Sequence, residues 1–211
     1  GIAINLEFIS ANPTGPLHLG HTRWAAVGDA LGRVLSAAGA KVTREFYIND
    51  RGNQMDLFGQ SVEAAALGLP IPEDGYQGAY VADLAAQVVK KNPQIKDLAG
   101  DQRGAAFREA AYKVQLAQQQ GVLETFNTRF DIWYSERSLA DNGAIDRALH
   151  KLAQHDHVYE KDGALWFRAT AFSDDKDRVV VRDNGVKTYF ASDIAYHLDK
   201  RERGFDLLLD I

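Results

Sequence analysis

The chain has 211 residues, 45% hydrophobic and 25% charged, an ordinary globular composition with room for one large domain or two small ones. It contains no cysteine, which excludes disulfides and thiolate zinc sites, and no apolar run reaches the about 18–20 residues of a membrane span. The net charge of −5 argues against a broad surface gripping phosphate backbone, so any contact with nucleic acid is local. The opening GIAINLEFIS lacks the basic region and apolar core of a secretory signal, so a cytoplasmic location is expected.

Ala3–Ser10 is a β-rich, mostly apolar strand candidate. The following NPTGP holds two prolines and a glycine and must be a loop. Trp24, Val27, Ala30, Leu31, Val34 and Leu35 then recur at helical spacing, predicting a helix from about Leu19 to Ala38 that stops at Gly39. Val42–Ile48 reads as a second strand. A strand–helix–strand unit implies a parallel pair with a right-handed crossover, and its first loop then lies at the carboxyl edge of the sheet, where such sheets bind ligands. Asn49-Asp50-Arg51-Gly52 is a polar turn, followed by a helix over about Gln54–Leu67.

Residues 70–175 change character and read as a mostly helical insertion. Helices are expected near Tyr80–Lys90, Gln102–Asn127 and Asn142–Gln154, with a short strand near Ile132–Tyr134. Val158–Phe167 forms a hairpin turning at Asp162-Gly163. A second hairpin pairs Val179–Val181 with Val186–Phe190 around Asp183-Asn184-Gly185. Ser192 then caps a helix to about Arg203, and Phe205–Ile211 returns to the sheet. The chain opens directly into a strand and closes on FDLLLDI, so it is expected to be a piece of a longer protein.

The segment PLHLGH places two of the six histidines three apart, around a glycine, where the first helix begins. A helix N-terminus carries unpaired N–H groups and partial positive charge, and attracts phosphate. Histidines His18 and His21 add imidazole donors, and Gly20 leaves room for a nucleotide. Preorganised donors stabilise the charge that develops on phosphate oxygens during in-line attack, so the pattern suggests nucleotidyl transfer from ATP. By itself H-x-G-H is a short pattern, and chance occurrences are surface or capping histidines. Imidazoles three apart without a nearby carboxylate fit a metal poorly.

Strand–loop–H-x-G-H–helix is the signature of the class I aminoacyl-tRNA synthetases, and a related H-x-G-H marks smaller nucleotidyltransferases that make pantetheine or nicotinamide dinucleotides. The longer run EFISANPTGPLHLGHTRWAAVGDALGRVL resembles the arginyl-tRNA synthetases in particular, and YINDRGNQM and KTYFASDIAYHLDK agree in order. The resemblance implies an α/β fold: residues 1–69 as the first half of a Rossmann-like parallel sheet, 70–175 as the connective insertion, and 176–211 as the return to the sheet. It implies ATP-dependent activation of L-arginine and transfer to tRNA(Arg), with Mg2+ arriving on ATP, no membrane, and a monomer.

By the same resemblance, His18, Gly20 and His21 bind ATP and the two histidines are catalytic. Ser10, Asn12 and His21 hold the amino-acid end, and Glu7, Tyr189 and Asp193 serve the guanidinium. A carboxylate suits that planar group of five donors because two parallel hydrogen bonds can form. Other uses stay open. Asp193 is placed to cap a helix, Tyr189 on an alternating strand fits a core aromatic, and Glu7 in an apolar strand needs a cation from the protein or a substrate. Asn49 and Asp50 read as turn residues. The K-M-S-K-S-like loop, the anticodon-binding domain and the N-terminal tRNA-binding domain of the family do not occur in these residues, so the chain alone is expected to have little aminoacylation activity. Another class I synthetase, an H-x-G-H adenylyltransferase and a noncatalytic ligand-binding fragment are the rival readings.

Overall fold

The computed structural model describes residues 1–211 throughout. Four parallel strands form the central sheet: β1 (Ala3–Glu7), β2 (Lys41–Ile48), β3 (Ile132–Ser135) and β7 (Leu207–Asp210), in the order β3-β2-β1-β7. Helix α1 (Leu19–Ala37) links β1 to β2. Helices α2 (Asn53–Leu67), α3 (Ala79–Lys91) and α4 (Gly100–Thr125) lie between β2 and β3. Between β3 and β7 come α5 (Arg137–Asp141), α6 (Ala144–Gln154), an antiparallel sheet of β4 (Val158–Lys161), β5 (Ala164–Phe167) and β6 (Arg178–Val181), and α7 (Tyr189–Glu202). No helix is long and apolar enough to cross a membrane.

The connections run outward from β1 through β2 to β3, then return across the sheet to β7 on the other side of β1. Right-handed crossovers therefore put α1 and α4 on one face and α7 on the other. The packing agrees, because alternate residues of each strand enter different cores. Phe46, Ile48 and Trp133 join Ala25 of α1 and Leu123 of α4. Their neighbours Tyr47 and Tyr134 join Ala191, Ala195 and Tyr196 of α7. A third core, with Met55, Phe58, Val81, Leu84 and Phe107, holds α2, α3 and α4 together. The reversal of direction between β1 and β7 is a topological switch point, the place where open α/β sheets receive ligands.

Three expectations change. First, the chain leaves the parallel sheet twice. Ile132–Ser135, read as part of a single insertion over 70–175, pairs in parallel with Glu45–Ile48 of β2. The helices before it are the β2-to-β3 crossover, and the antiparallel sheet belongs to a second excursion. A four-residue apolar run carries too little periodicity to reveal which sheet it joins. Second, the apolar stripe of α1 does not face the core: Trp24, Val27 and Val34 are exposed, Val34 by 65%. The helix packs through Ala25, Gly28 and Gly32 instead. A Cβ at Gly28 would lie 2.2 Å from the Phe8 ring, so the small residues set the contact. Third, Val186–Phe190 is not a strand. Only Lys187 bridges to Val181, and the helix already starts at Tyr189, capped by the Thr188 hydroxyl rather than by Ser192.

Candidate active site

The two histidines cap α1 reciprocally. His18 Nδ1 accepts from Gly20 N–H at 3.1 Å, and His21 Nδ1 accepts from His18 N–H at 3.1 Å. The rings stack with centroids 3.8 Å apart. An imidazole that accepts at Nδ1 carries its proton at Nε2, so each ring keeps an Nε2–H donor free. Burial, and then the nearby His18, lower the proton affinity of His21, which favours its neutral form. Two N–H groups of the helix start are thus taken by the histidines, leaving imidazole donors to meet an anion. A Cβ at Gly20 would stand 3.0 Å from His18 Cε1, closer than the ring would comfortably allow. The glycine makes room for the histidine.

The chain turns sharply after β1. Ile9 (φ 69°) and Ser10 (φ 42°) are both in the left-handed region, which costs a β-branched residue about 1–3 kcal/mol. Ser10 Oγ holds the turn by donating to Glu7 at 2.8 Å and accepting from Tyr47 N–H at 3.0 Å. Asn12 donates to Gln54 and accepts from Asn49. Gln119 of α4 donates to the carbonyls of Asn12 and Gly15, and Tyr80 of α3 to that of Thr14. The β2-to-β3 helices thereby hold the histidine loop. An open cleft of about 680 Å³ lies between this loop and α4, lined by Leu17, His21, Thr22, Gln119 and Phe126.

Glu7 finds its cation inside the protein. Lys200 of α7, 0% exposed, binds Glu7 at 2.7 Å and Asp210 of β7 at 2.6 Å. Hydrogen bonds from His197, followed by Lys200, hold the Asp210 carboxyl well below its ordinary range. On the same sheet face Glu45 is fully engaged by Asn5, Tyr196 and Arg203. Burial opposes the charge of Glu45, but the bonds from Arg203 and Tyr196 outweigh it and lower its pKa.

Next to these paired carboxylates lies Glu136, a buried carboxylate without a partner, with Asp193 nearby. Tyr47 is half-buried near the charges of Glu136, Asp193, Glu7 and Asp50, and burial, followed by those charges, pushes its phenol far up. Glu136, at the carboxyl end of β3, is only 4% exposed, and its Oε2 has no hydrogen-bond partner. Burial raises its pKa; Arg51 opposes, while Asp50 and Asp193 raise it further. Asp193 lies one turn into α7, so it is not the cap. Desolvation raises its pKa, with Glu7 adding and His197 opposing. Tyr189, four residues earlier, is 63% exposed and so not a core aromatic. Its hydroxyl reaches across to the turn after β2, 3.2 Å from where a Cβ of Gly52 would stand.

The predicted residues thus come together at the carboxyl edge of the sheet. Glu7, Ser10 and Asn12 follow β1, the histidines follow their loop, and Tyr189 and Asp193 approach from the start of α7. Glu136, Tyr47, Asp50 and Lys200 were not singled out as site residues. The available signal was positional: Glu136 immediately follows a parallel strand, as Glu7 ends one, and such residues face the ligand edge.

Comparison with known proteins identifies the family. Residues 3–209 match the family described as tRNA synthetases class I (R), catalytic domain. An arginine–tRNA ligase of Renibacterium salmoninarum is 53% identical over 97% of this chain, and one of Micrococcus luteus is 50% identical over 98%. The chain spans 37% of the length of each of these relatives. A Campylobacter jejuni crystal structure assigned as an arginyl-tRNA synthetase superposes over 100% of this chain and 47% of its own, with TM-score 0.92 and 36% identity. The Thermus thermophilus arginyl-tRNA synthetase gives TM-score 0.67 and 27% identity over 94% of this chain and 36% of its own. The chain belongs to the catalytic-domain family of the class I arginyl-tRNA synthetases.

Proposed function

We propose that this chain is the part of an arginine–tRNA ligase that binds L-arginine and ATP. The observation that carries the reading is the buried, unpartnered carboxylate of Glu136, with Asp193 and Tyr47 beside it. Glu136 has a buried oxygen without a partner, and Asp193 lies one turn into α7 beyond Tyr189. A buried, uncompensated carboxylate costs several kcal/mol in rough terms unless a cation joins it. A guanidinium supplies both the charge and enough donors for two carboxylates and a tyrosine hydroxyl. Lysine, with one ammonium, would leave acceptors unpaired and be rejected. Glu7 and Ser10, bonded to each other, support the wall of the pocket, and Asn12 takes the amino-acid end.

The reaction follows from the neighbouring loop. An oxygen of the arginine carboxylate attacks the α-phosphorus of ATP and pyrophosphate leaves. The Nε2–H groups of His18 and His21 donate to the phosphate oxygens as charge grows on them. A terminal ribose hydroxyl of tRNA(Arg) then attacks the arginyl carbonyl and AMP departs. No three His, Asp or Glu side chains converge to hold a metal ion. Mg2+ enters on the phosphates of ATP as part of the substrate. The ligase is a cytoplasmic monomer, and contact with tRNA is made largely outside this acidic chain.

Calorimetric titration of the chain with L-arginine, L-lysine and L-citrulline tests the pocket. Arginine is expected to bind, and citrulline, its neutral isostere, is expected to bind at least about tenfold more weakly. Equal binding of citrulline would overturn the carboxylate reading.

A further inference from the structure

Glu136 has no bond that fixes its carboxyl, yet its two chain neighbours are held on both sides by one residue. The carboxylate of Asp50, 2% exposed, accepts from Ser135 Oγ at 2.6 Å and from Arg137 N–H at 3.1 Å. Arg137 Nε also donates to the Asp50 carbonyl at 2.7 Å, and Glu136 N–H donates to the Ile48 carbonyl at 3.1 Å. The backbone around Glu136 is therefore tied at three consecutive residues to the end of β2. Helix α4 braces the same point: Tyr112 OH donates to Asp50 at 3.0 Å, Arg137 binds Glu109 at 2.8 Å, and the Arg137 guanidinium lies over the Tyr112 ring at 5.0 Å. This is more bonding than a turn after a strand requires. The bonds flank Glu136, whose buried Oε2 has no partner.

We infer that Asp50 is a positioning residue for arginine recognition. It sets the Glu136 carboxyl opposite Asp193 by gripping Ser135 and Arg137, and it links that placement to α4. The inference rests on the arginine reading above. Asp50 touches no substrate; its effect passes through Glu136. Burial, and after it the charge of Asp50, disfavour ionised Glu136, with Arg51 opposing.

The test is arginine-dependent ATP–pyrophosphate exchange by the complete ligase with tRNA present. Asp50→Ala is expected to raise the KM for arginine about tenfold, the scale of one lost charge-assisted hydrogen bond, while the KM for ATP stays within about twofold. Asp50→Asn keeps a carbonyl for Arg137 N–H and offers an amide to the Ser135 and Tyr112 hydroxyls, so it is expected to restore the arginine KM to within about threefold. Ser135→Ala removes a single bond and is expected to shift the arginine KM about threefold, which keeps the question open to test should Asp50→Ala fail to fold. Asp50→Ala combined with Glu136→Ala is expected to be no worse than Glu136→Ala alone, because residues acting through one contact are not additive.

Equal changes in both KM values, an unshifted arginine KM in Asp50→Ala or Ser135→Ala, or additive losses in the double variant would each overturn the positioning role. Wild-type exchange separates the two claims. Its absence with arginine removes the arginine reading itself, whereas normal wild-type exchange with unshifted variants removes only the role of Asp50.

Discussion

Replacing Glu136 with Gln keeps the shape of the side chain and removes one negative charge from a buried position. Burial, with Asp50 and Asp193 nearby, raises the pKa of this carboxyl above its ordinary value. The folded state therefore binds a proton more tightly than the unfolded state does. The contribution of this group is fully present below its ordinary value and is lost as the pH rises through the raised value, because ionised Glu136 is disfavoured in the fold. At pH 7 the unliganded Gln variant should be the more stable form, by about 1 kcal/mol, a typical gain on relieving an active-site charge. For a domain of this size that is about 2–4 °C in Tm. Arginine binding should weaken in the opposite sense, by the about 1.5–3 kcal/mol of a charge-assisted hydrogen bond, or about 10–150-fold in Kd. Thermal unfolding at pH 4 and pH 7, together with calorimetric titration of arginine, measures both quantities. The wild-type and variant Tm values should converge at the lower pH and separate at the higher. A Tm at pH 7 lower than wild type, or an unchanged arginine Kd, would refute the reasoning.

Gly20→Ala puts a methyl against the His18 ring; adenylate formation should slow about tenfold or more while far-UV circular dichroism stays unchanged. Asp193→Asn should weaken arginine binding about tenfold or more and leave ATP binding intact, and without arginine it should not lower Tm as loss of a helix cap would. Lys200→Met strands Glu7 and Asp210; loss of one partner of a buried pair costs about 3–5 kcal/mol, which a denaturant titration would register as a lower midpoint with an unchanged slope. The depressed pKa of Asp210 works in the opposite direction from Glu136. Its contribution is present above the ordinary carboxylate range and lost as the pH falls through the folded value, so Asp210→Asn should lower Tm at pH 7 and converge with wild type in strong acid.

The sheet and the histidine loop were legible because local chemistry determines both. Alternation and β-branched residues mark β1 and β2, and two prolines with a glycine force the loop that ends at His18. Two features were not legible. The outward stripe of α1 has the spacing of a core face, but helix periodicity does not say which face approaches the sheet. At Gly28 the side chain that decides the packing is the one that is absent. Glu136 and Lys200 were missed because each acquires its meaning from residues far along the chain. Lys200 joins Glu7 across 193 positions, and Asp50 holds Ser135 across 85. Tyr189 and Asp193 were assigned to the site by motif but to the wrong local structure. The helix starts at Tyr189, four residues before Asp193, and so presents both on one face.

The most direct test of the arginine reading is ATP–pyrophosphate exchange by the complete ligase, with total tRNA present and each amino acid supplied singly. Exchange with arginine alone is the predicted result. Exchange with a different amino acid would keep the adenylating chemistry of His18 and His21 but contradict the roles given to Glu136, Tyr189 and Asp193, and exchange with none would contradict the account at its centre.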